Sequence, residues 1–337
     1  MLPELAVVMI TKDQAWNVAR LIESVLEGTA HVSAKQIVLV DSASRDETIE
    51  LACRYQIGVV RLRPDQRLTA AAGRYIGYQH TTARLVLFLD GDMELCPGWL
   101  EKALDFVQCR PDVAVITGQI IDQLRTAKSP DRPPLIPTGT VAATEVLHGG
   151  GAALYKRSVL EQVGTFNPYL YSDEEPELCL RIRHAGYRVV QLAQPLAYHY
   201  SNPSEALSTL AGRWQRNLYL GQGQCMRYYL GDDLLWRYVK ERGYGCIPAL
   251  GLVSGLIALV WTAVTRRWRW FSLWILLAGG LLVGDAVRKR SVYRVVYSLC
   301  LRLLFVGGTA KGFLLKPLDP ESYRGLMDII KPVSQVE

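Results

Sequence analysis

The first 120 residues alternate between short runs that are apolar throughout and longer runs that are apolar on one face only. LAVVMI (5–10), QIVLVD (36–41), VVRLR (59–63) and RLVLFLD (84–90) have the length of strands, and a run apolar at every position suits a strand buried on both faces of a sheet. Between the first two, QAWNVARLIESVLEG puts Val18, Leu21, Ile22, Val25 and Leu26 on one helical face and stops at Gly28. SRDETIELACRY reads as a second helix, with Ser44 and Glu47 at capping-box spacing, and a third is predicted near 69–82. The pattern predicts an α/β fold with a mainly parallel sheet covered by helices. Ligands of such sheets bind beyond the carboxyl ends of the strands. Asp41 and the pair Asp90 and Asp92 stand at such ends.

The periodicity then lapses. Residues 122–148 are rich in Pro, Thr and charge and read as a mobile loop near the site. HGGGAALYKRSVLEQVGTF returns to a strand and a helix, and SDEEPELCLRIRHAGYRVV gives a helix ending at Gly186 with a strand after it.

Beyond about residue 226 the chain becomes apolar in long blocks. IPALGLVSGLIALVWTAV (247–264) has no charge over 18 residues and is long enough for a membrane span. FSLWILLAGGLLVG (271–284) alone is short for a crossing, and SVYRVVYSLCLRLLFVGG (291–308) mixes Arg294 and Arg302 into an apolar helix, as an interfacial helix does. Trp261, Trp268, Trp270 and Trp274 suit the headgroup boundary. Arg266, Arg267 and Arg269 between the first two blocks oppose a simple two-span hairpin under the positive-inside rule, a conflict that a hairpin dipping into one leaflet removes. The expected division is therefore a catalytic domain over 1–225 and membrane-associated helices over 226–337. Hydrophobic residues make up half of the 337, which locates the apolar excess in this tail, and the formal charge of +6 is mild. A basic, aromatic and apolar tail suits an anionic membrane surface, not nucleic acid. Seven scattered cysteines without a CxxC pair read as reduced thiols, and the N-terminus lacks the marks of a secretory signal. The expectation is attachment to an inner or plasma membrane with the catalytic domain facing the cytoplasm.

FLDGDMEL (88–95) carries the sharpest chemical signal. Two carboxylates two residues apart on a strand-ending loop can converge on one hard divalent cation, Mg²⁺ or Mn²⁺, that keeps positions open for phosphate oxygens. Gly91 between them lets the backbone bend. By itself the motif fits a solvated acidic turn equally well.

Five segments in order give it context: VVMITKDQAWNVARLIESV, IVLVDSASRDET, AAGRYIGYQHTTARLVLFLDGDMEL, GGGAALYKRSVLEQVGTFN and YSDEEPELCLRIRHAGYRV. Over roughly residues 4–220 the chain resembles the membrane-associated bacterial family 2 glycosyltransferases of GT-A fold, a Rossmann-like sheet. The resemblance implies that Asp90 and Asp92 hold the metal and, with Asp90 touching the donor too, the diphosphate of a UDP-, GDP- or dTDP-sugar. It implies nucleotide-sugar contacts for Thr11, Lys12, Asp41, Arg74 and Gly150, and places His199 near the metal. Glu174 and Glu175 match the family's acidic pair, whose second member accepts the proton of the attacking hydroxyl. Ser42 stands where many relatives carry a second acid, and Tyr75 where they carry asparagine. For Ser172 and Glu175 a capping box at the following helix is the other reading. The implied function is an inverting, metal-dependent transfer to a hydroxyl of a lipid-linked saccharide or glycolipid in cell-surface glycan synthesis. Transfer to polyprenyl phosphate is the rival within the class, and an inactive, transferase-like scaffold the rival outside it.

Overall fold

The computed structural model describes residues 4–125, 142–201, 206–333 and 335–336. It divides into two compact units, Met1–Pro203 with Leu318–Glu337, and Ser204–Pro317.

The first unit is built on one mixed sheet. Its strands are β1 (Leu5–Thr11), β2 (Lys35–Asp41), β3 (Gly58–Leu62), β4 (Leu85–Asp90), β5 (Met93–Leu95), β6 (Val113–Leu124), β7 (Ala143–Glu145), β8 (Ala153–Lys156), β9 (Arg188–Ser201), β10 (Met327–Lys331) and β11 (Gln335–Val336). The order runs β10-β3-β2-β1-β4-β8-β6-β9-β5, with β11 beside β2 and β7 beside β9. Strands β3, β2, β1 and β4 are parallel neighbours. Every residue of β1 and β2 is buried, and each buried Val, Leu or Ile side chain in them contributes roughly 1.5–3 kcal/mol. Helices α1 (Val18–Gly28), α2 (Thr48–Ala52), α3 (Ala70–Gln79), α4 (Trp99–Gln108), α5 (Arg157–Val163) and α6 (Glu174–His184) complete the unit. Leu21, Ile22 and Val25 of α1 pack into the apolar layer with Val7 and Met9 on one side of the sheet, and Ala72, Tyr75 and Ile76 of α3 with Val8 and Val40 in the other.

The register fixes the site. Thr11 pairs with Asp41 across β1 and β2, and Ile10 with Asp90 across β1 and β4, so three strand ends lie level. On the other flank β9 pairs with both β5 and β6, setting His199 opposite Met93 and opposite Asp122.

Local details differ from the sequence reading. The helix predicted from Ser44 begins only at Thr48, with Glu47 at its cap and no side-chain cap bond. Ser44 is held instead by the loop, its Oγ donating to Asp41 and accepting from the Asp13 backbone N–H. The presumed loop over 122–148 is shorter than expected, because β6 continues to Leu124 and β7 occupies Ala143–Glu145. Residues 126–141 of it lie outside the described residues.

The second unit holds α7 (Leu207–Gln215), α8 (Gly221–Tyr228), α9 (Leu234–Arg242), α10 (Ile247–Thr265), α11 (Arg269–Lys289) and α12 (Val292–Phe313). The last three are long and apolar enough to cross a membrane, with few of their residues buried. The second and third extend past the blocks anticipated at 271–284 and 291–308, because their charged ends stay helical. The compact units also part at 203/204, not at 225/226, and the tail from Leu318 belongs to the sheet unit because β10 pairs antiparallel with β3.

Candidate active site

A sharp turn at the end of β4 presents the paired acids. Gly91 fits closely there: a Cβ would lie 3.0 Å from the Ile10 carbonyl oxygen and 2.9 Å from Gln14 Cγ, so a larger residue would have to push its neighbours aside. The buried Asn17 side chain donates to the carbonyl oxygens of Gly91 (3.0 Å) and Met93 (2.9 Å), strapping the turn to the start of α1. The Tyr200 backbone N–H donates to the Asp92 carbonyl at 2.8 Å and anchors the turn to β9.

Arg74 organises one side of the turn. It projects from α3, 1% exposed, into a cluster of three acids. Its Nη1 donates to Glu174 Oε1 at 2.7 Å, while Nη2 meets Asp90 Oδ1 at 2.7 Å and Glu175 Oε1 at 2.9 Å. The guanidinium also lies over the Phe166 ring, 5.5 Å from its centroid. Burial opposes the arginine's charge, but attraction to Asp90, Glu175 and Glu174 outweighs it and holds the pKa above the ordinary range. One cation does not neutralise three acids. Burial and, after it, repulsion from Glu175 push the Glu174 pKa upward. Asp90 is raised too, by burial first, with Arg74 opposing and Glu175 and Asp92 adding repulsion.

The acids reach Arg74 from the start of α6. Its cap, Asp173, has φ +65° and makes no side-chain cap bond of its own. The left-handed turn directs Glu174 and Glu175 to the cluster. Glu174 is the more deeply buried, with 7% of its side chain exposed against 16% for Glu175.

His199 organises the other side. Its Nε2 faces Asp92 Oδ2 at 3.5 Å and its Nδ1 meets Asp122 Oδ1 at 2.7 Å. The hydrogen bond to Asp92 raises its pKa to about 9, against partial desolvation and with help from Asp122. Asp122 escaped the sequence reading because it sat at the edge of the presumed loop. The apolar alternation of VAVITGQIIDQL extending to Leu124 is the signal that could have found it.

The remaining expected residues take other places. Asp41 is fully buried, and accepts from the Ser44 backbone N–H at 2.8 Å, the Ser44 hydroxyl and the Thr11 hydroxyl. Burial raises its pKa against those hydrogen bonds. Through these bonds Asp41 and Thr11 tie the strand-end loops of β1 and β2 together. Lys12, next in the chain, is exposed. Gly150 has φ +69° and nothing near the position of a Cβ, whereas at Gly151 a Cβ would fall 2.3 Å from Asp90 Oδ2. The glycine that borders the acids is therefore Gly151.

Among the described residues no group of three or more His, Cys, Asp or Glu side chains is placed to hold a metal ion. Carboxylate oxygens with one imidazole suit Mg²⁺ or Mn²⁺, and Asp92 with His199 forms an open pair that fits a cation whose other positions come from a ligand.

Residues 6–164 match the family model described as Glycosyl transferase family 2. They form a family 2 glycosyltransferase domain. Polypeptide N-acetylgalactosaminyltransferase 15 of Homo sapiens is 32% identical over 108 residues, 31% of this chain and 17% of the human one. Polypeptide N-acetylgalactosaminyltransferase 6 of Bos taurus is 36% identical over 108 residues, with the same two shares. This chain thus spans about a sixth of the length of these curated relatives. Mannosyltransferase PcManGT from Pyrobaculum calidifontis, solved with GDP-Man and Mn²⁺, superposes with a TM-score of 0.58 at 17% identity, covering 93% of this chain and 88% of that one. S. aureus TarS 1-349, solved with UDP-GlcNAc, gives 0.55 at 15% identity, covering 86% and 92%. These likenesses establish the GT-A fold.

Proposed function

We propose that the protein is an inverting glycosyltransferase that moves a sugar from a nucleoside-diphosphate sugar to a hydroxyl of an acceptor presented at a membrane. The observation that carries this reading is Arg74 Nη2 bonded to both Asp90 and Glu175. One guanidinium nitrogen couples the acid that faces the leaving diphosphate to the acid that faces the nucleophile.

Glu175 is the base. Its carboxylate is less buried than that of Glu174, and takes the acceptor hydroxyl's proton as that oxygen attacks the anomeric carbon. Arg74 keeps the carboxylate oriented. Glu174, raised in pKa, limits the negative charge around Arg74. Asp92 and His199 would hold Mg²⁺ or Mn²⁺ together with the donor's diphosphate, with Asp90 beside them on Arg74, and the cation supplies charge neutralisation to the departing diphosphate when bound. The donors bound by the two structural neighbours, UDP-GlcNAc and GDP-Man, support a nucleotide sugar here. The apolar helices α10 to α12 support a lipid-linked saccharide or glycolipid acceptor, an inner or plasma membrane, and a role in envelope polysaccharide synthesis on its cytoplasmic face.

The test is release of nucleoside diphosphate by purified protein over a panel of UDP-, GDP- and dTDP-sugars, with Mn²⁺ and membrane lipid extract, in wild type and Glu175→Gln. The reading requires cation-dependent release that Glu175→Gln lowers by a factor of about 10²–10⁴, the range of general-base contributions. Undiminished turnover in that variant would move the acceptor to a polyprenyl phosphate, whose oxygen needs no strong base. No release with any donor would make the chain a scaffold.

A further inference from the structure

We infer that α12, although long and apolar enough to cross a bilayer, does not cross it and lies along the membrane surface on the side of the sheet unit. The inference rests on the membrane association proposed above and is independent of donor and acceptor.

The first argument is parity. The sheet unit brackets the helical unit in the chain, with residues before 204 on one side and residues from 318 on the other. The return is structural: β10 pairs with β3, Asp328 is bonded to Arg63 at 2.7 Å, and the Leu326 N–H donates to Gln66 at 2.9 Å. Tyr323 is already seated against the rings of Tyr75 and Tyr169, at 5.7 and 5.3 Å. Three crossings would leave the end of α12 on the far side, with only residues 314–322 to bring the chain back. That stretch, LLKPLDPES, contains Lys316, Asp319, Glu321 and two prolines, and turns at Pro320–Ser322. Irregular, charged backbone of this kind cannot traverse hydrocarbon, where every N–H and C=O needs an internal partner. An even number of the three helices therefore crosses.

The second argument selects α12 as the one left out. It is the least apolar of the three and carries Arg294, Arg302 and Lys311. Its last turns are covered by protein. Cβ atoms at Gly308 and Gly312 would fall 2.6 Å from the Tyr219 carbonyl oxygen and 2.1 Å from that of Leu220, so the helix is in backbone contact with the segment leading into α8. Thr309 donates to Gln222 at 3.1 Å and Lys311 to Asn217 at 3.1 Å. By contrast α11 has no buried residue and α10 only Gly255 and Thr262, the glycine packed under Trp274 of α11. Helices α10 and α11 form a hairpin with lipid-facing apolar surfaces, and enter the membrane as a pair.

The partner this arrangement fits is an anionic lipid surface. Arg294 and Arg302 on this mainly apolar helix can snorkel to headgroups while Val296, Leu299 and Leu303, all more than 40% exposed, rest on the acyl boundary.

The experiment uses the full chain bound to sealed vesicles of phosphatidylethanolamine and phosphatidylglycerol. Flotation comes first: a chain that stays at the bottom of the gradient overturns the membrane reading and the α12 assignment with it. Floated vesicles are treated with a membrane-impermeant maleimide. Cys109, an exposed thiol of the sheet unit, marks that unit's side, and Val292→Cys and Leu314→Cys, at positions 73% and 84% exposed, report the two ends of α12. Both introduced thiols are expected to react together with Cys109 in intact vesicles. Protection of either until detergent is added, with Cys109 and the other reactive, overturns the inference while leaving membrane association intact. Trypsin on the unmutated chain repeats the test without a variant. Cleavage at Arg288, Lys289 or Arg290 in intact vesicles is expected, and cleavage only after detergent contradicts it.

Discussion

Arg74 Nη2 lies 2.9 Å from Glu175 Oε1 while the same nitrogen bonds Asp90 at 2.7 Å. An arginine in this position is doubly structural: it compensates acids that could not otherwise share a buried site, and it fixes their separation. Removing it leaves Asp90, Glu174 and Glu175 without their cation. Breaking a buried pair from one side costs about 3–5 kcal/mol, so Arg74→Met is expected to lose stability of that order in urea denaturation. Arg74→Lys keeps the charge but not the fork that reaches three carboxylates, and is expected to fold while losing much of its kcat. Equal kcat in the lysine variant and wild type would mean that orientation of Glu175 does not depend on Arg74.

The excess negative charge in the same cluster makes a pH prediction. Because its pKa in the folded protein is raised from 4.5, Glu174 keeps its proton to higher pH than in the unfolded chain. Over that window the native state binds more protons than the unfolded state, and stability falls as pH rises. Below about pH 4.5 both states are protonated and the group is neutral in its effect. Glu174→Gln still offers an oxygen to Arg74 but removes the titration. Its melting temperature is therefore expected to gain on wild type steadily between pH 5 and pH 8, in a thermal melt series without metal. A constant difference across that range would assign the slope to another group.

Much of this arrangement is legible in the sequence. The alternation of fully apolar runs with amphipathic helices gave β1 to β4 and placed Asp90 and Asp92 at a strand end, while their reading as a metal grip came from the resemblance and not from the pattern. What sequence could not supply was pairing across distance. Arg74 and Glu174 are 100 residues apart, and Asp122 and His199 are 77. Both contacts depend on the register of the sheet or on a left-handed turn at Asp173, which no periodicity encodes. At Asp41 the pattern shows an acid at a strand end but not its bonds to the Ser44 turn, which only the fold brings together. The tail was readable as apolar helices but not as a return to the sheet, since β10 is a short edge strand whose Ile329 and Ile330 are exposed.

His199 stands between Asp92 and Asp122, and its raised pKa of about 9 means an imidazolium at neutral pH. That charged pairing stabilises the metal-free fold fully below about pH 6.5, and its contribution is lost as pH climbs through 9. A cation at Nε2 must displace the proton. Affinity for Mn²⁺ in the presence of nucleoside diphosphate is therefore expected to rise about tenfold per pH unit from 6.5 toward 9 and then level off, as measured by titration calorimetry. Asp122→Asn removes the carboxylate that orients the ring through Nδ1, and outer partners of this type affect metal affinity by about 10–100-fold. Equal Mn²⁺ affinity in Asp122→Asn and wild type would show that the ring is oriented by β9 alone.

The two neighbouring glycines before β8 separate backbone strain from site geometry. Gly150 sits at φ +69° with open space around it, so Gly150→Ala introduces a left-handed alanine and no collision. The expected result is a loss of about 1–2 kcal/mol in stability with turnover retained in the folded fraction. Gly151 has no such backbone requirement, but a Cβ there would press on Asp90 Oδ2 at 2.3 Å. The carboxylate has to swing, and its bond to Arg74 Nη2 has to lengthen or break. Gly151→Ala is therefore expected to lower kcat and Mn²⁺ affinity together at nearly unchanged melting temperature, since Asp90 keeps part of its side chain in solvent and can move outward. Measuring denaturation midpoints beside nucleoside diphosphate release for both variants distinguishes the two effects. If Gly150→Ala proves the inactive one and Gly151→Ala the active one, the wall against Asp90 is not what keeps the cluster in place.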